Sequence, residues 1–297
     1  MMKKLGFIGG GNMAEALARG LIEKKIFKPG DVIVSDVDPA RRRKLARSLK
    51  VETTADNLAV LRDSRALLIA VKPQNIDDVL GEMAAAMRAP DQSNDGVGRK
   101  SSRAANKPGS KPVKPADRLF ISIAAGITLA RMTGALGPGA RVIRVMPNAP
   151  AMVGQGMAAL VRAVGASRAD EAFALRIFGA VGDAVALADE HLLDAVTALS
   201  GSGPAYVYLF VKALADAGVS EGLTPELATR MALQTIRGAE ENMRRSPMSA
   251  AELIRIVASP GGTTEAALRK FAETRFSDIV VGAVHAAAER SRELGRT

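Results

Sequence analysis

Hydrophobic positions in the first half of the chain switch period again and again. "KKLGFIG" is a short apolar run, and "NMAEALARGLIEKK" behind it puts Ala14, Leu17, Ala18, Leu21 and Ile22 on one helical face. "DVIVSD" predicts a second strand, and "PARRRKLARSL" a helix with Pro39 in its first turn. The unbroken apolar run "ALLIAV" (residues 66–71) reads as a strand covered on both faces, with a helix after it over about 75–87. "RLFISIAA" and "ARVIRVMPN" add two further strands. Alternation of this kind predicts an α/β fold with a parallel, doubly wound sheet.

Beyond about residue 166 the period stays near 3.6. "DEAFALRIFGAV", "EHLLDAVTALS", "PAYVYLFVKALADAG", "PELATRMALQTIRGAEENMRR", "SAAELIRIV", "TEAALRKFAE" and "FSDIVVGAVHAAAERSREL" all carry helical spacing, with one short strand at "AVALA". The pattern predicts two domains, a sheet domain over 1–166 and an all-helical one over 167–297.

Composition narrows the chemistry. In 297 residues 47% are hydrophobic, but only 3% are aromatic and Trp is absent, so Ala, Leu, Ile, Val and 12 Met must fill the interior. Cys is absent, which excludes disulfides, thiolate catalysis and Cys-ligated zinc. The two histidines, His191 and His285, lie far apart, and a surface or core place is expected for each. No metal site is expected. No apolar run reaches the ~18 residues of a membrane span. "MMKKLGFIGGG" is too short in its apolar part for a signal peptide and reads as a first strand, so a cytoplasmic protein is expected.

The net charge of +10 raises the question of nucleic acid. Between Arg88 and Arg118 eight basic residues face three acidic ones, so this stretch supplies 8 − 3 = +5, half the total. It is rich in Pro, Gly, Ser and Asn, which predicts a disordered basic insertion over about 88–118 rather than a binding face. No nucleic-acid partner is expected.

Five features carry candidate chemistry. Gly9-x-Gly11-x-x-Ala14, between a strand and a helix, has the context of a dinucleotide fingerprint: Gly9 for the tight turn, Gly11 for close approach of a pyrophosphate, Ala14 for helix packing. Asp36, ending the second strand, is placed to accept adenine-ribose hydroxyls and slightly favours NADH over NADPH. Arg41, Arg42 and Arg43 on the next helix argue the other way, with a solvated charge run as the plain alternative. "AVKPQ" places Lys72 at the carboxyl edge of a sheet, where ligands of open α/β folds bind; a surface lysine before a proline is equally compatible. In the helical half, "SGSGPAYVYLF" and "SPGGTTEAAL" put Ser, Gly and Pro before apolar helices, with Ser200 and Ser202 suited to caps and Pro204 to a first helical position. Neither holds a GxSxG elbow, and both would expose amides suited to a carboxylate.

"GFIGGGNMA", "AVKPQ", "SIAAGIT", "VIRVMPNAP", "LSGSGPAYVY" and "VASPGGTTEAAL" stand in the order and near the spacing of the pyrroline-5-carboxylate reductases, and the chain resembles that family throughout except for the 88–118 insertion. The resemblance implies a Rossmann-like first domain and a helical domain that intertwines with a second copy, giving a homodimer or a larger assembly of dimers. It implies hydride transfer from NADPH or NADH to the imine carbon of 1-pyrroline-5-carboxylate, yielding L-proline. By position, Ile8, Gly9, Gly10, Gly11, Asn12 and Met13 would line the pyrophosphate, and Asn57 would contact the adenosine. Ala70, Val71, Lys72 and Pro73, with Ile123, Ala124 and Ala125, would flank the nicotinamide. Thr264 would hydrogen-bond the ring nitrogen as the catalytic residue. The Gly262, Thr263 and Thr264 amides would hold the carboxylate, and Ser259 and Gly261 would shape the turn.

Two positions depart from the family pattern. Ile254-Arg255 replaces the usual basic–acidic pair before "SPGG", and Asp36 stands where a phosphate-binding hydroxyl is usual. Two other readings are compatible with parts of the chain. A β-hydroxyacid dehydrogenase would need a helix-borne lysine, for which Lys212 is the candidate. A non-catalytic NAD(P)- or nucleic-acid-binding protein would use the basic loop.

Overall fold

A computed structural model describes residues 2–88 and 113–296. The central part of the predicted insertion, 89–112, lies outside the described residues. Its flanks do not match the expectation of disorder. Arg88 ends a helix, residues 115–117 form a 3₁₀ turn, and Arg118 is buried, donating to the carbonyls of Leu61 (3.1 Å), Arg62 (3.2 Å) and Asp117 (3.1 Å). Burial pulls the Arg118 pKa below its ordinary value, and these carbonyls replace the water it loses.

Described residues of the first part run β1 (Lys3–Ile8), α1 (Asn12–Glu23), β2 (Val32–Ser35), α2 (Pro39–Leu49), β3 (Glu52–Thr54), α3 (Asn57–Asp63), β4 (Ser64–Ile69), α4 (Ile76–Arg88), β5 (Leu119–Ser122), α5 (Leu129–Leu136) and β6 (Arg141–Pro147). Then follow β7 (Gly156–Arg162), α6 (Arg168–Phe178), β8 (Gly182–Ala186) and the short α7 (Leu192–Val196). One eight-stranded sheet has the order β3-β2-β1-β4-β5-β6-β7-β8. Every pair is parallel except β6–β7.

Alternation along the strands builds two cores, one on each face. Leu5, Phe7, Val34, Leu68 and Ile121 point to the face covered by α1 and α6, where they meet Leu17, Leu21 and Ile177. Ile8, Ile33, Leu67, Ile69 and Phe120 point the other way, onto Leu61, Leu80 and Met83 of α3 and α4. Strands β1 and β4 are buried on both faces, which is why they read as continuous apolar runs.

The helical segments are α8 (Gly203–Ser220), α9 (Pro225–Arg245), α10 (Ala250–Val257), α11 (Thr263–Glu273) and α12 (Phe276–Arg296). Two compact units result, and their division differs from the expected boundary at 166. The first unit continues to Gly201 and takes back residues 290–296, and the second is Ser202–Glu289. The reason is β7, α6 and β8. "GMAALVR" extends the sheet by pairing antiparallel to β6, and β8 pairs parallel to β7, so α6 packs on the sheet and not among the later helices. Within the second unit α8 and α9 approach closely: a Cβ on Gly218 would lie 3.1 Å from that of Ala228.

Candidate functional site

At the carboxyl edge of the sheet, β1 lies between β2 and β4, the point where the winding reverses and a crevice opens. Backbone bonds carry the chain past this edge: Gly9 donates to Ser35 O (2.9 Å) and Ala70 to Ile8 O (2.8 Å). Gly9 turns with φ +93°, and a Cβ there would lie 3.0 Å from the Ala70 carbonyl. Gly11 is the N-cap of α1, no side chain caps that helix, and a Cβ on Gly11 would meet nothing within 4 Å. The first-turn amides of α1 therefore face open space, an arrangement suited to phosphate oxygens. A cleft of about 730 Å³ lies beside them, lined in part by Gly9, Gly11, Asp36, Asn57, Lys72 and Glu82. Open approach over Gly11, the uncapped helix and this cleft fit a dinucleotide.

The remaining expected contacts sort by exposure. Ala70 and Val71 line the cleft with Lys72, and Pro73 opens the 3₁₀ turn 73–75 just beyond. Ile8 is fully buried, so it offers only backbone at this edge, and Asn12 and Met13 form the first turn of α1. Ile123 extends β5 by donating to Ile69 O (3.1 Å), placing Ile123–Ala125 at the same edge, with the Ala124 side chain in the core.

Asp36 has two backbone partners already. Its Oδ2 accepts from Gly10 N (2.7 Å) and its Oδ1 from Asp38 N (2.8 Å). It braces the glycine turn, and a carboxylate with about four acceptor positions keeps capacity for ribose hydroxyls. The three arginines do different work. Arg41 grips the same turn, donating to Gly10 O and to Asn12 Oδ1 (2.9 Å) and pairing with Glu15 (3.1 Å). Arg42 folds back onto the Asp36 (2.6 Å) and Val37 (3.1 Å) carbonyls, and Arg43 is exposed. Glu15 collects Arg19, Arg41 and Lys44; burial alone would raise its pKa, but the Lys44 and Arg19 hydrogen bonds outweigh it and hold the carboxyl below its ordinary range. Sequence reading missed Glu15, Asp78 and Glu82. The acids Asp78 and Glu82 carry no local mark, and only the placement of α4 turns them into the cleft.

In the second unit the stretch 259–264 forms a turn and a helix start. Gly262 N donates to Ser259 O (3.0 Å) across Pro260 and the left-handed Gly261 (φ +69°), a proline–glycine pair in the order that a type II turn prefers. A Cβ on Gly262 would sit 2.8 Å from Ser259 Oγ. Of the three amides expected to hold a carboxylate, that of Gly262 closes the turn, and Glu265 Oε2 takes the neighbouring Gly261 amide (2.7 Å). Gly262 is the N-cap of α11 with no side-chain cap, which leaves the Thr263 and Thr264 amides and the Thr264 hydroxyl at the helix start.

The "SGSGP" stretch also differs from its expected capping role. Ser200 lies in a π-turn over Thr197–Gly201, its hydroxyl and carbonyl near Asn148 Nδ2 (3.3 and 3.1 Å), Ser202 makes no side-chain cap, and Pro204 is the second residue of α8. Ile254 and Arg255, in the last turn of α10, are exposed. Lys212 is exposed and pairs with Asp216 (2.6 Å) along its own helix, a poor setting for the acid/base lysine of a hydroxyacid dehydrogenase. His191 and His285 are exposed, and no cluster of metal-ligating side chains exists among the described residues. No helix among them is long and apolar enough to cross a membrane.

Comparison with known proteins covers both units. Residues 190–294 match the family described as pyrroline-5-carboxylate reductase dimerisation, and residues 4–92 match NADP oxidoreductase, coenzyme F420-dependent. A pyrroline-5-carboxylate reductase of Synechocystis sp. is 40% identical over 296 residues, all of both chains. That of Arabidopsis thaliana is 36% identical over 99% of this chain and 96% of its own. Among solved structures, a pyrroline-5-carboxylate reductase from Coxiella burnetii superposes with a TM-score of 0.85 at 30% identity over the whole of both chains. The Plasmodium falciparum enzyme, solved with NADP bound, gives 0.81 at 29% identity over 99% of this chain and 100% of its own. With relatives of this identity matched end to end and a glycine turn built for a dinucleotide, the chain belongs to the pyrroline-5-carboxylate reductase family.

Proposed function

We propose that this protein, working in the cytoplasm as a dimer or an assembly of dimers, reduces 1-pyrroline-5-carboxylate to L-proline with a hydride from NAD(P)H, and that NADH is the preferred donor. The observation that carries the substrate site is the start of α11, where a proline–glycine turn leaves the Thr263 and Thr264 amides and a hydroxyl together on an uncapped helix. A reduced nicotinamide, when bound, supplies the hydride.

The protonated imine is already electrophilic, so the protein needs no strong base. Its carbon accepts the hydride, the π pair of the C=N bond settles on nitrogen, and the proton on nitrogen stays as the N–H of proline. The Thr264 hydroxyl accepts a hydrogen bond from that N–H and fixes the face of the ring. The Thr263 and Thr264 amides and the positive end of α11 hold the carboxylate. Orientation of this kind is a large part of such a barrier. At the other unit, Asp36 and Arg41 hold Gly10 from its N–H and its C=O, which keeps the turn open for the pyrophosphate.

Preference for NADH rests on Asp36, whose carboxylate at the end of β2 suits ribose hydroxyls and opposes a 2′-phosphate. Support also comes from Arg41, engaged by Gly10 O, Asn12 and Glu15, and from Arg42, engaged by the Asp36 and Val37 carbonyls. The test is turnover of the imine followed by nicotinamide absorbance, with each coenzyme separately. Turnover with a higher kcat/KM for NADH is expected, and a higher value for NADPH would overturn the preference. For Thr264→Ala, kcat/KM for the imine should fall on the order of 10²-fold, the scale of a lost transition-state hydrogen bond. Coenzyme affinity should hold, and unchanged turnover would remove Thr264 from the mechanism.

A further inference from the structure

Asn57 begins α3, just after the Asp56 N-cap, and its side chain is held at both ends. The buried Ser35 hydroxyl donates to Asn57 Oδ1 (2.7 Å), and Asn57 Nδ2 donates to Glu82 Oε2 (3.0 Å). Glu82 comes from α4, 25 residues further along, and lines the same cleft as Asn57 and Asp36. A carboxylate cannot donate, so Glu82 fixes which way the amide faces. The charge of the cleft is the second observation. Its lining holds Asp36, Asp78 and Glu82 against Lys72 alone, 1 − 3 = −2, in a chain of net charge +10. Of the arginines on α2, Arg41 and Arg42 are bonded to the carbonyls of Gly10, Asp36 and Val37, and Arg43 is exposed.

We infer that Glu82 is a positioning and specificity-determining residue for the coenzyme. It aims the Asn57 amide and adds negative charge to the adenosine end of the cleft, so that a 2′-hydroxyl is accepted and a 2′-phosphate is opposed. This rests on the proposal that the cleft takes the adenosine half of NAD(P)H. Two variants separate the parts. Glu82→Gln keeps an acceptor for Asn57 and removes the charge, whereas Glu82→Ala removes both.

The experiment is calorimetric binding of ADP-ribose and of 2′-phospho-ADP-ribose to the full chain, without turnover, with thermal melting to check that each variant folds. In Glu82→Gln, ADP-ribose should bind nearly as in the parent while the 2′-phospho compound tightens about five- to tenfold, the scale of removing one nearby like charge. In Glu82→Ala, ADP-ribose should weaken severalfold, with the ratio between the two ligands still shifted toward the 2′-phosphate. A ratio unchanged in both variants, whatever the absolute affinities, would overturn the inference and leave Glu82 as a tie between α3 and α4. The parent protein tests the preference separately. If it binds the 2′-phospho compound more tightly yet the ratio still moves on substitution, the NADH preference fails and the role of Glu82 stands.

Discussion

At the scale of single residues, Gly9 shows how little side chain the turn after β1 tolerates. Its φ of +93° and a neighbouring carbonyl 3.0 Å from any Cβ leave no room for alanine. Gly9→Ala should cost about 1–3 kcal/mol in stability, read from a denaturant melt, and weaken NADH binding in titration. Retained stability and affinity would mean that the turn relaxes without loss. Gly11 is permissive in the opposite sense, since its surroundings are open and its value lies in what approaches from outside. The motif was legible because both demands select glycine whatever the rest of the fold does. Glu82 and Arg41 were not legible: an acid on a helix and one arginine of three have no local mark, and their partners lie 25 and 31 residues away.

Among the elements, the junction of β6 and α6 is held by an ion pair with a buried carboxylate. Arg141 at the start of β6 makes a two-pronged contact with Asp170, and Asp170 also accepts from the Ser167 amide and hydroxyl (2.9 Å each) in the capping box of α6. Burial alone would raise the Asp170 pKa, but the Arg141 and Ser167 hydrogen bonds overcome it and hold the value below the ordinary 3.8. A depressed carboxyl pKa gives stability that is complete above the unfolded value and is lost as pH falls through the folded one. Asp170→Asn should therefore destabilise by about 3 kcal/mol at neutral pH, the scale of an interrupted buried pair. The difference from the parent protein should shrink as pH drops below 3.8, and a difference independent of pH there would refute the ionic origin. Strand β7 belongs to this scale too. "GMAALVR" has the composition of a helix as much as of a strand, so only its pairing with β6 decides its state.

For the whole molecule, the second unit poses an association problem. Helix α8 is strongly apolar in sequence, yet none of its residues is fully buried in the single chain, and the same holds for α10 and α11. Leu209 on α8 and Ile279 on α12 are 69% and 62% exposed. In a chain that matches a dimerisation family, we propose this apolar surface as the face that a second copy covers. Leu209→Asp or Ile279→Asp should shift the protein toward monomer in light scattering and cost a large part of its turnover. Each desolvated leucine or isoleucine is worth about 1.5–3 kcal/mol. A variant that stays dimeric would place the interface elsewhere. The basic stretch around 88–118 contributes half of the net charge, yet the described cleft has the opposite sign, so total charge was a poor guide to the site.

Sequence alone determined the doubly wound half, the helical half and the two glycine-containing turns, because hydrophobic period and the steric demand for glycine are local properties that survive without a tertiary partner. It misplaced the division between units by 35 residues (201 − 166), because strand pairing at the sheet edge is a long-range bond that no local period records. Only the tertiary structure decided which amides at α11 remain open, which arginine grips the turn, and how two acids of α4 come to line the cleft. Each of these depends on hydrogen bonds and burial created when distant segments meet, and such contacts leave no trace in the spacing of the chain.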